Sequence, residues 1–526
     1  MGASGLPKDL RPIAIVVVIG AIMSILDVTI VNVALQTLRN DLDVSLATIQ
    51  WVSTGYLLAL SAVIPLTGWL AERFGARRVW MGAVTAFVAT STLCGAAWSA
   101  DSLIAFRVLQ GLAGGMIMPI GMITLAQAAG PKRMGRVMSV VGVPMLLGPV
   151  VGPVVGGLLV DNLSWRWIFY VNVPVGALGL ALAYRLLPHG RAAGQASEAG
   201  HATPPLDKLG LLLLSPGVAA IVFGLSEVGT HRTVTTPSAW VPMVAGLAMV
   251  SAFVVRALRI EHPLVEIRLF RGRGFSAAAA TTCLLGGALF GSMILLPLYY
   301  QVVRGQSALD AGLLMAPQGI GAAIGMNLGG RLTDRVGAGR VVPVGLLLLA
   351  LGTIPYATIG GSTGYAVLIV GLFVRGLGLG GTIMPAMAAA YATLDSGAQV
   401  PRATPMLNVL QRLGGSLGVA VLTVILENSL SSEVARATGG RGVPGGGDGA
   451  VGGTLPDAVR QRLVDPLGAA FAHAYTWSLV GILVALVPAL LLMREERRVR
   501  LAAAAAGEVE AVPGRADAAA GAPVAI

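Results

Sequence analysis

Asp27 stands in "SILDVTIVNVAL" (24–35), inside an apolar run that begins at Ile13. A carboxylate that deep in a bilayer-length helix is expensive, so it marks either a working group or a permanently paired ion. Removal from water disfavours the charged form of a carboxylic acid. A buried acid can therefore exchange a proton for a cation, which is the minimal requirement of an antiporter. Arg107, in "FRVLQG", is the one basic residue between Arg78 and Lys132. A guanidinium stays ionised in any protein, so it must face a carboxylate, a backbone carbonyl or water. Two readings stay open for the pair: proton coupling through Asp27 and Arg107, or a structural ion pair between them. Arg375 and Arg412 also fall within apolar stretches, whereas Glu227, Asp310 and Glu427 lie at their ends.

The elements that would hold these residues follow from composition. Of 526 residues, 55% are hydrophobic and 12% charged, with a mean hydropathy of +0.79. Soluble domains carry about 25% charged residues. Apolar stretches near the ~20 residues a spanning helix needs occur at 13–35, 49–71, 79–98, 102–129, 137–160, 167–188, 206–228, 239–258, 274–300, 308–330, 341–360, 364–393, 405–428 and 471–493. They predict an all-α polytopic membrane protein with fourteen transmembrane helices. The net charge of +11 and pI near 10.2 would suit a nucleic-acid binder, but the basic clusters "ERFGARR", "PKRMGR", "RLFRGRG" and "REERRVR" all fall on one side of that topology. This is the positive-inside bias, and no nucleic-acid partner is expected. An even number of spans puts both termini in the cytoplasm of a plasma-membrane protein. No small-residue cleavage site follows the first span, which reads as an uncleaved helix.

Cys94 and Cys283 sit in different spans and read as small buried residues. The five histidines are scattered through loops and one span end, so no metal site is expected. Nor is an enzyme, which would need Ser, His, Asp or Cys groups clustered at one depth. No cofactor is called for beyond the proton, and the expected partners are lipid and a small hydrophobic molecule bound by a monomer.

An internal repeat sets the architecture. "GWLAERFGARR" from Gly68 matches "GRLTDRVGAGR" from Gly330, and "GGMIMP" from Gly114 matches "GGTIMP" from Gly380. Chain order and membrane side are kept, which points to two halves related by an axis along the membrane normal. The offset covers eight spans rather than six, so spans seven and eight are an inserted pair, introduced by the linker "HGRAAGQASEAGHATPP". The predicted domains are a six-helix half at 1–188, a linker with the inserted pair at 189–273, a second six-helix half at 274–494 with an outer loop at 429–470, and a disordered cytoplasmic tail at 495–526. Within the outer loop, "LPDAVRQRLVDPLGAAF" reads as a short surface helix or a solvated connection.

The loop "GWLAERFGARR" and the two parallel six-helix halves resemble the major facilitator superfamily. The inserted pair, "LDVTIVNVAL", "GVPMLLGPVVGPVVGG", "WRWIFYVNVPVG" and "QRLGGSLGVAV" resemble its fourteen-helix drug:proton antiporter family. Gln36 departs from that family's usual proline, and Glu72 from its usual aspartate. The resemblance implies a role in proton coupling for the acid at Asp27 and for Arg107. It makes the fifth-span stretch (Gly142, Pro144, Gly148, Pro149, Gly152, Pro153, Gly156, Gly157) a mark of exporters; its four-residue glycine spacing also suits close helix contact. Gly68, Glu72, Arg73, Gly75, Arg77 and Arg78, with Asp334 and Arg335 in the second copy, read as a conformational latch, with simple positive-inside anchoring as the alternative. The expected cavity wall comprises Asn32, Gln50, Trp51, Tyr56, Gln110, Met116, Met118, Gln127, Phe290, Gln318, Asn327 and Gln411, for each of which ordinary packing is the competing reading. Methionine and aromatic walls with sparse amides suit varied hydrophobic ligands.

Asp27 is the one acid deep within a span. Members of the resembled family that export divalent cations tend to carry a second intramembrane acid, which the tenth span here lacks, so the resemblance implies neutral or monocationic cargo. The function expected is proton-coupled export of hydrophobic drugs or antibiotics by alternating access. Export of a single endogenous product or lipid is the alternative, and a non-transporting receptor the remote one.

Overall fold

The computed structural model of the protein describes residues 9–130, 133, 151–152, 155–160, 162–187, 205–231, 235–360, 363–394, 399–438 and 457–510. Among them there is no strand. The helices are α1 (Arg11–Asp41), α2 (Leu46–Val63), α3 (Thr67–Phe74), α4 (Ala76–Gly95), α5 (Ala100–Ala129), α6 (Asn172–Leu186), α7 (Lys208–His231), α8 (Pro237–Arg259), α9 (Arg273–Leu298), α10 (Ala308–Val336), α11 (Ala338–Ala357), α12 (Tyr365–Gly380), α13 (Ile383–Ala392), α14 (Val400–Thr438) and α15 (Asp457–Glu510). Eleven stretches are long and apolar enough to cross a membrane. α4 and α10, of 20 and 29 residues, reach spanning length with more polar sequence. The expected fifth span, 137–160, lies mostly outside the described residues; positions 151–152 and 155–160 of it are helical.

Local chemistry sets the boundaries. The Ser45 side chain accepts the Thr48 N–H at the start of α2, and Ser99 and Ser102 form a reciprocal capping box on α5. Pro65 lacks an N–H, and a 3-10 turn at Ile64–Leu66 separates α2 from α3. Gly75 and Gly337, aligned by the repeat, both take positive φ (+84° and +92°) where one helix stops and the next begins. Only glycine does so without steric cost.

Packing repeats as the sequence does. α5 lies against α2 and α4 in the first half, and α12 against α10 and α11 in the second. α6 contacts α1 and α4, and α15 contacts α9 and α11. The inserted α7 and α8 pack on each other, with α7 against both α2 and α14, at the seam between the halves. Near the face carrying "GWLAERFGARR", Ala71, Ile123 and Ala126 share one buried cluster with Ala386, Ala390, Tyr391, Ala403 and Met406. Towards the opposite face each half keeps its own cluster, around Ile30, Leu103 and Phe169 in one and Leu296, Tyr300 and Phe471 in the other. The halves are thus closed on the loop-motif face and separate on the other.

Two expectations are corrected. The segment from Asp457 is neither a separate surface helix nor a solvated connection but the opening turns of α15, while α14 runs past 428 to Thr438. Leu430, Leu463, Leu467 and Phe471 bury one another, so tertiary packing carries both helices beyond membrane length. Nor is the tail disordered from 495: α15 continues to Glu510 through "REERRVRLAAAAAGEVE", a run rich in strong helix formers. Residues 439–456 of the outer loop, 188–204 around the linker and 511–526 lie outside the described residues.

Candidate functional site

Asp27 lies near the middle of the 31-residue α1 and is 1% exposed. Arg107, from α5 and equally buried, donates from Nη1 to Asp27 Oδ2 at 2.7 Å. The other carboxylate oxygen, Oδ1, accepts from Gln110 Nε2 at 2.9 Å and from Asn172 Nδ2 at 3.0 Å. Gln110 lies one turn beyond Arg107 on the same face of α5, and its Oε1 accepts from Arg107 Nη1 at 2.8 Å. Arg107 Nε donates to the Val52 carbonyl at 3.1 Å, and the guanidinium lies over the Tyr56 ring at 4.0 Å. Asn172 also reaches Ser91 Oγ, whose hydroxyl donates to the Phe169 carbonyl. A low-dielectric site of this kind strengthens each bond and makes an unpartnered member costly.

Both carboxylate oxygens therefore meet charge-assisted or amide donors, at the convergence of α1, α5 and α6. Proton uptake by the carboxyl group would remove its charge and weaken the bond to Arg107, leaving a guanidinium that needs another acceptor. Glycines bring the fifth-span stretch against α1 close to this site: a Cβ at Gly152 would strike the Thr29 side chain, and one at Gly156 would lie 3.2 Å from the Ile30 carbonyl oxygen. Gly157 has open space around it, while Gly142, Pro144, Gly148, Pro149 and Pro153 lie outside the described residues.

Sequence reading found Asp27 and Arg107 but not Asn172, Ser91 or the Cys94 thiol, which lies 3.4 Å from Gln110 Oε1. Asn172 carried the one usable signal, an amide at the start of an otherwise apolar helix. Tyr56 and Gln110, expected on the cavity wall, are instead fully buried beneath and beside Arg107. Gln411 is buried too, with its carbonyl against Gly286. Trp51 is exposed and stacks on Phe223 of the inserted α7 at 5.8 Å. Asn32, Gln50 and Asn327 are exposed, and Gln127 is half-buried. Met116, Met118 and Phe290 are half-buried against the cluster that joins the halves. Gln318 accepts from Arg375 Nη1 at 3.4 Å.

Of the loop-motif residues, Glu72 spans the two halves: its Oε1 accepts from Arg402 Nε at 2.9 Å. Gly68 lies beside it, where a Cβ would strike the Pro401 carbonyl. Arg77 instead ties α4 to α6 through the Tyr184 carbonyl at 2.8 Å. Arg73, Arg78 and Arg335 are exposed, and Asp334 is half-buried.

Two packed, repeated helical halves, the first of them holding a buried acid–guanidinium network, define the architecture of the chain. Residues 17–419 match the family model described as Major Facilitator Superfamily, and the chain belongs to that family. It is 39% identical over 492 residues to a Multidrug resistance protein B homolog of Mycobacterium tuberculosis (strain ATCC 25618 / H37Rv), covering 91% of this chain and 89% of that one. It is 31% identical to the Multidrug export protein EmrB of Haemophilus influenzae (77% and 78% covered). It is 32% identical to the Methylenomycin A resistance protein of Streptomyces coelicolor (78% and 84%). The fold resembles the human organic anion transporter MFSD10 with a TM-score of 0.60 at 17% identity, over 93% of this chain and 100% of that one. It also resembles the proton:xylose symporter XylE, with a TM-score of 0.56 at 13% identity (90% and 94%). At such identities these two structures speak to fold alone.

Proposed function

We propose that the protein is a proton-coupled antiporter that exports hydrophobic neutral or monocationic small molecules across the plasma membrane by alternating access, with both termini cytoplasmic. The observation that carries this reading is the buried Asp27, held by Arg107, Gln110 and Asn172 in a chain whose relatives are named for multidrug resistance and export. Residues 1–188 and 274–494 are the two moving halves, and 189–273 holds the inserted pair. Asp27 takes a proton from the outer side while the halves are apart there. Protonation loosens Arg107, the halves exchange faces, and the proton leaves inward as substrate binds. The Glu72–Arg402 pair holds the state in which the loop-motif face is closed. A second reading, export of a single product, draws on relatives named for one antibiotic each, such as methylenomycin A and tetracenomycin C.

The test uses energised inverted membrane vesicles carrying wild-type protein or Asp27→Asn, with internal pH followed as neutral and monocationic hydrophobic compounds are added. Proton release on substrate addition in wild type and its loss in Asp27→Asn is the expected result. Release that persists in the mutant would remove Asp27 from the coupling step. A response to one chemotype alone would favour the dedicated exporter.

A further inference from the structure

Arg375 is the counterpart of Arg107 in the second half, a few residues before "GGTIMP", yet its surroundings differ. The repeat offset carries Asp27 onto 289–293, "LFGSM", where there is no acid. Arg375 is 2% exposed on α12. Its one hydrogen bond among the described residues is the long contact from Nη1 to Gln318 Oε1 at 3.4 Å, and Nε is buried with no partner. The charged or ionisable side chains that act on it among the described residues are Tyr475 and Tyr356, and neither is a carboxylic acid. The Tyr356 hydroxyl is already engaged, donating to the Leu368 carbonyl at 2.8 Å. The Tyr475 hydroxyl, on a ring 5.2 Å from that of Tyr356, is buried with no partner among the described residues.

A buried guanidinium without a counter-charge is destabilising. Arg375 Nε–H and Tyr475 O–H are two orphaned donors beside that one positive charge. We propose that Arg375, Tyr475 and Gln318 form a binding site for one monovalent anionic group, a carboxylate or a halide, inside the second half. One charge is what the site can neutralise; a dianion would leave a buried negative excess. A carboxylate can bridge the Nε and Nη edge in the bidentate geometry that arginine favours, while Tyr475 donates to it. Gln318, on α10, is the one member of the site that is only partly buried. The site goes beyond proton-coupled export: it admits cargo bearing an acidic group, or a resident chloride.

The experiment uses the full chain in phosphatidylcholine nanodiscs, in chloride-free sulfate buffer of constant ionic strength, since a dianion is not expected to occupy the site. Tm is followed while chloride or benzoate replaces sulfate. A ligand that binds the folded state alone raises Tm saturably. The expected result is a saturable rise of about 2–4 °C, lost in Arg375→Gln, with about tenfold weaker half-saturation in Tyr475→Phe, the loss of one hydrogen bond to a charged group. A response to chloride alone identifies a resident ion, and a response to benzoate identifies the acidic group of a cargo molecule. No anion-dependent rise in wild type overturns the site, as does an undiminished rise in Arg375→Gln. If Arg375→Gln fails to fold, an unchanged half-saturation in Tyr475→Phe overturns it instead. Asp27→Asn retains the rise, so failure of proton coupling and failure of this site are read separately.

Discussion

At the residue scale, the Asp27–Arg107 pair is one unit rather than two contributions. Removing a single partner of a buried ion pair leaves an uncompensated charge and costs about 3–5 kcal/mol, whereas removing both can be nearly neutral. Asp27→Asn and Arg107→Gln are therefore each expected to lower Tm. The double variant is expected to melt no lower than either single one, as read by scanning fluorimetry of purified protein. Additive losses would mean that the two side chains do not stabilise each other. Asn172→Leu removes a donor from Asp27 Oδ1 and from the Ser91 hydroxyl. It is expected to cost about 1–3 kcal/mol in the same assay, the penalty for a buried polar atom left unpaired. Charged members of this site were legible in the sequence because a charge inside an apolar run admits few explanations. Asn172, Ser91 and Gln110 were not assigned to it because uncharged polar residues are common in helices. Their meeting around one carboxylate, Ser91 by way of Asn172, depends on how α1, α4, α5 and α6 pack.

At the element scale, the loop motif acts where helices from opposite halves meet. The Glu72–Arg402 pair is partly exposed, with side-chain exposures of 19% and 37%, so it contributes about 0.2–1 kcal/mol. That is enough to shift a conformational ratio up to about fivefold, and no more. Glu72→Gln is expected to lower the population in which the opposite face is open. Spin labels at Asp101 and Gly364, at the opposite-face starts of α5 and α12, would then show more of the shorter distance. Exchanging the charges, Glu72→Arg with Arg402→Glu, is expected to restore the distribution; a distribution indifferent to both variants would reduce the motif to membrane anchoring. The repeat, the halves and the inserted pair could be read from motif order alone, since offsets of 262 and 266 residues constrain topology strongly. Arg402 could not, because its significance lies in meeting Glu72 across 330 residues. The extension of α14 and α15 beyond the membrane was also hidden. Leu430, Leu463 and Leu467 are apolar by type, but that they bury one another depends on the two helices lying side by side.

At the scale of the whole molecule, the proposed exchange through one carboxylate would fix how transport responds to voltage. Moving one charge through 100 mV is worth about 2.3 kcal/mol, and one pH unit about 1.4 kcal/mol. One proton in against one neutral molecule out moves one net charge, so 100 mV alone sustains roughly a fiftyfold gradient. One proton in against one monocation out moves none, and the pH difference is then the whole driving force. Cargo that carries one negative charge, bound through Arg375, would move two, and the gradient that 100 mV sustains rises to roughly the square of the neutral value. Reconstituted into vesicles with potassium-set potentials and no pH difference, the protein is expected to concentrate neutral compounds, to leave monocations at equilibrium with its own exchange, and to concentrate monoanions most steeply. Equal voltage dependence for neutral and monocationic cargo would refute a one-carboxylate exchanger. A monoanion slope no greater than the neutral one would mean that its acidic group crosses in protonated form.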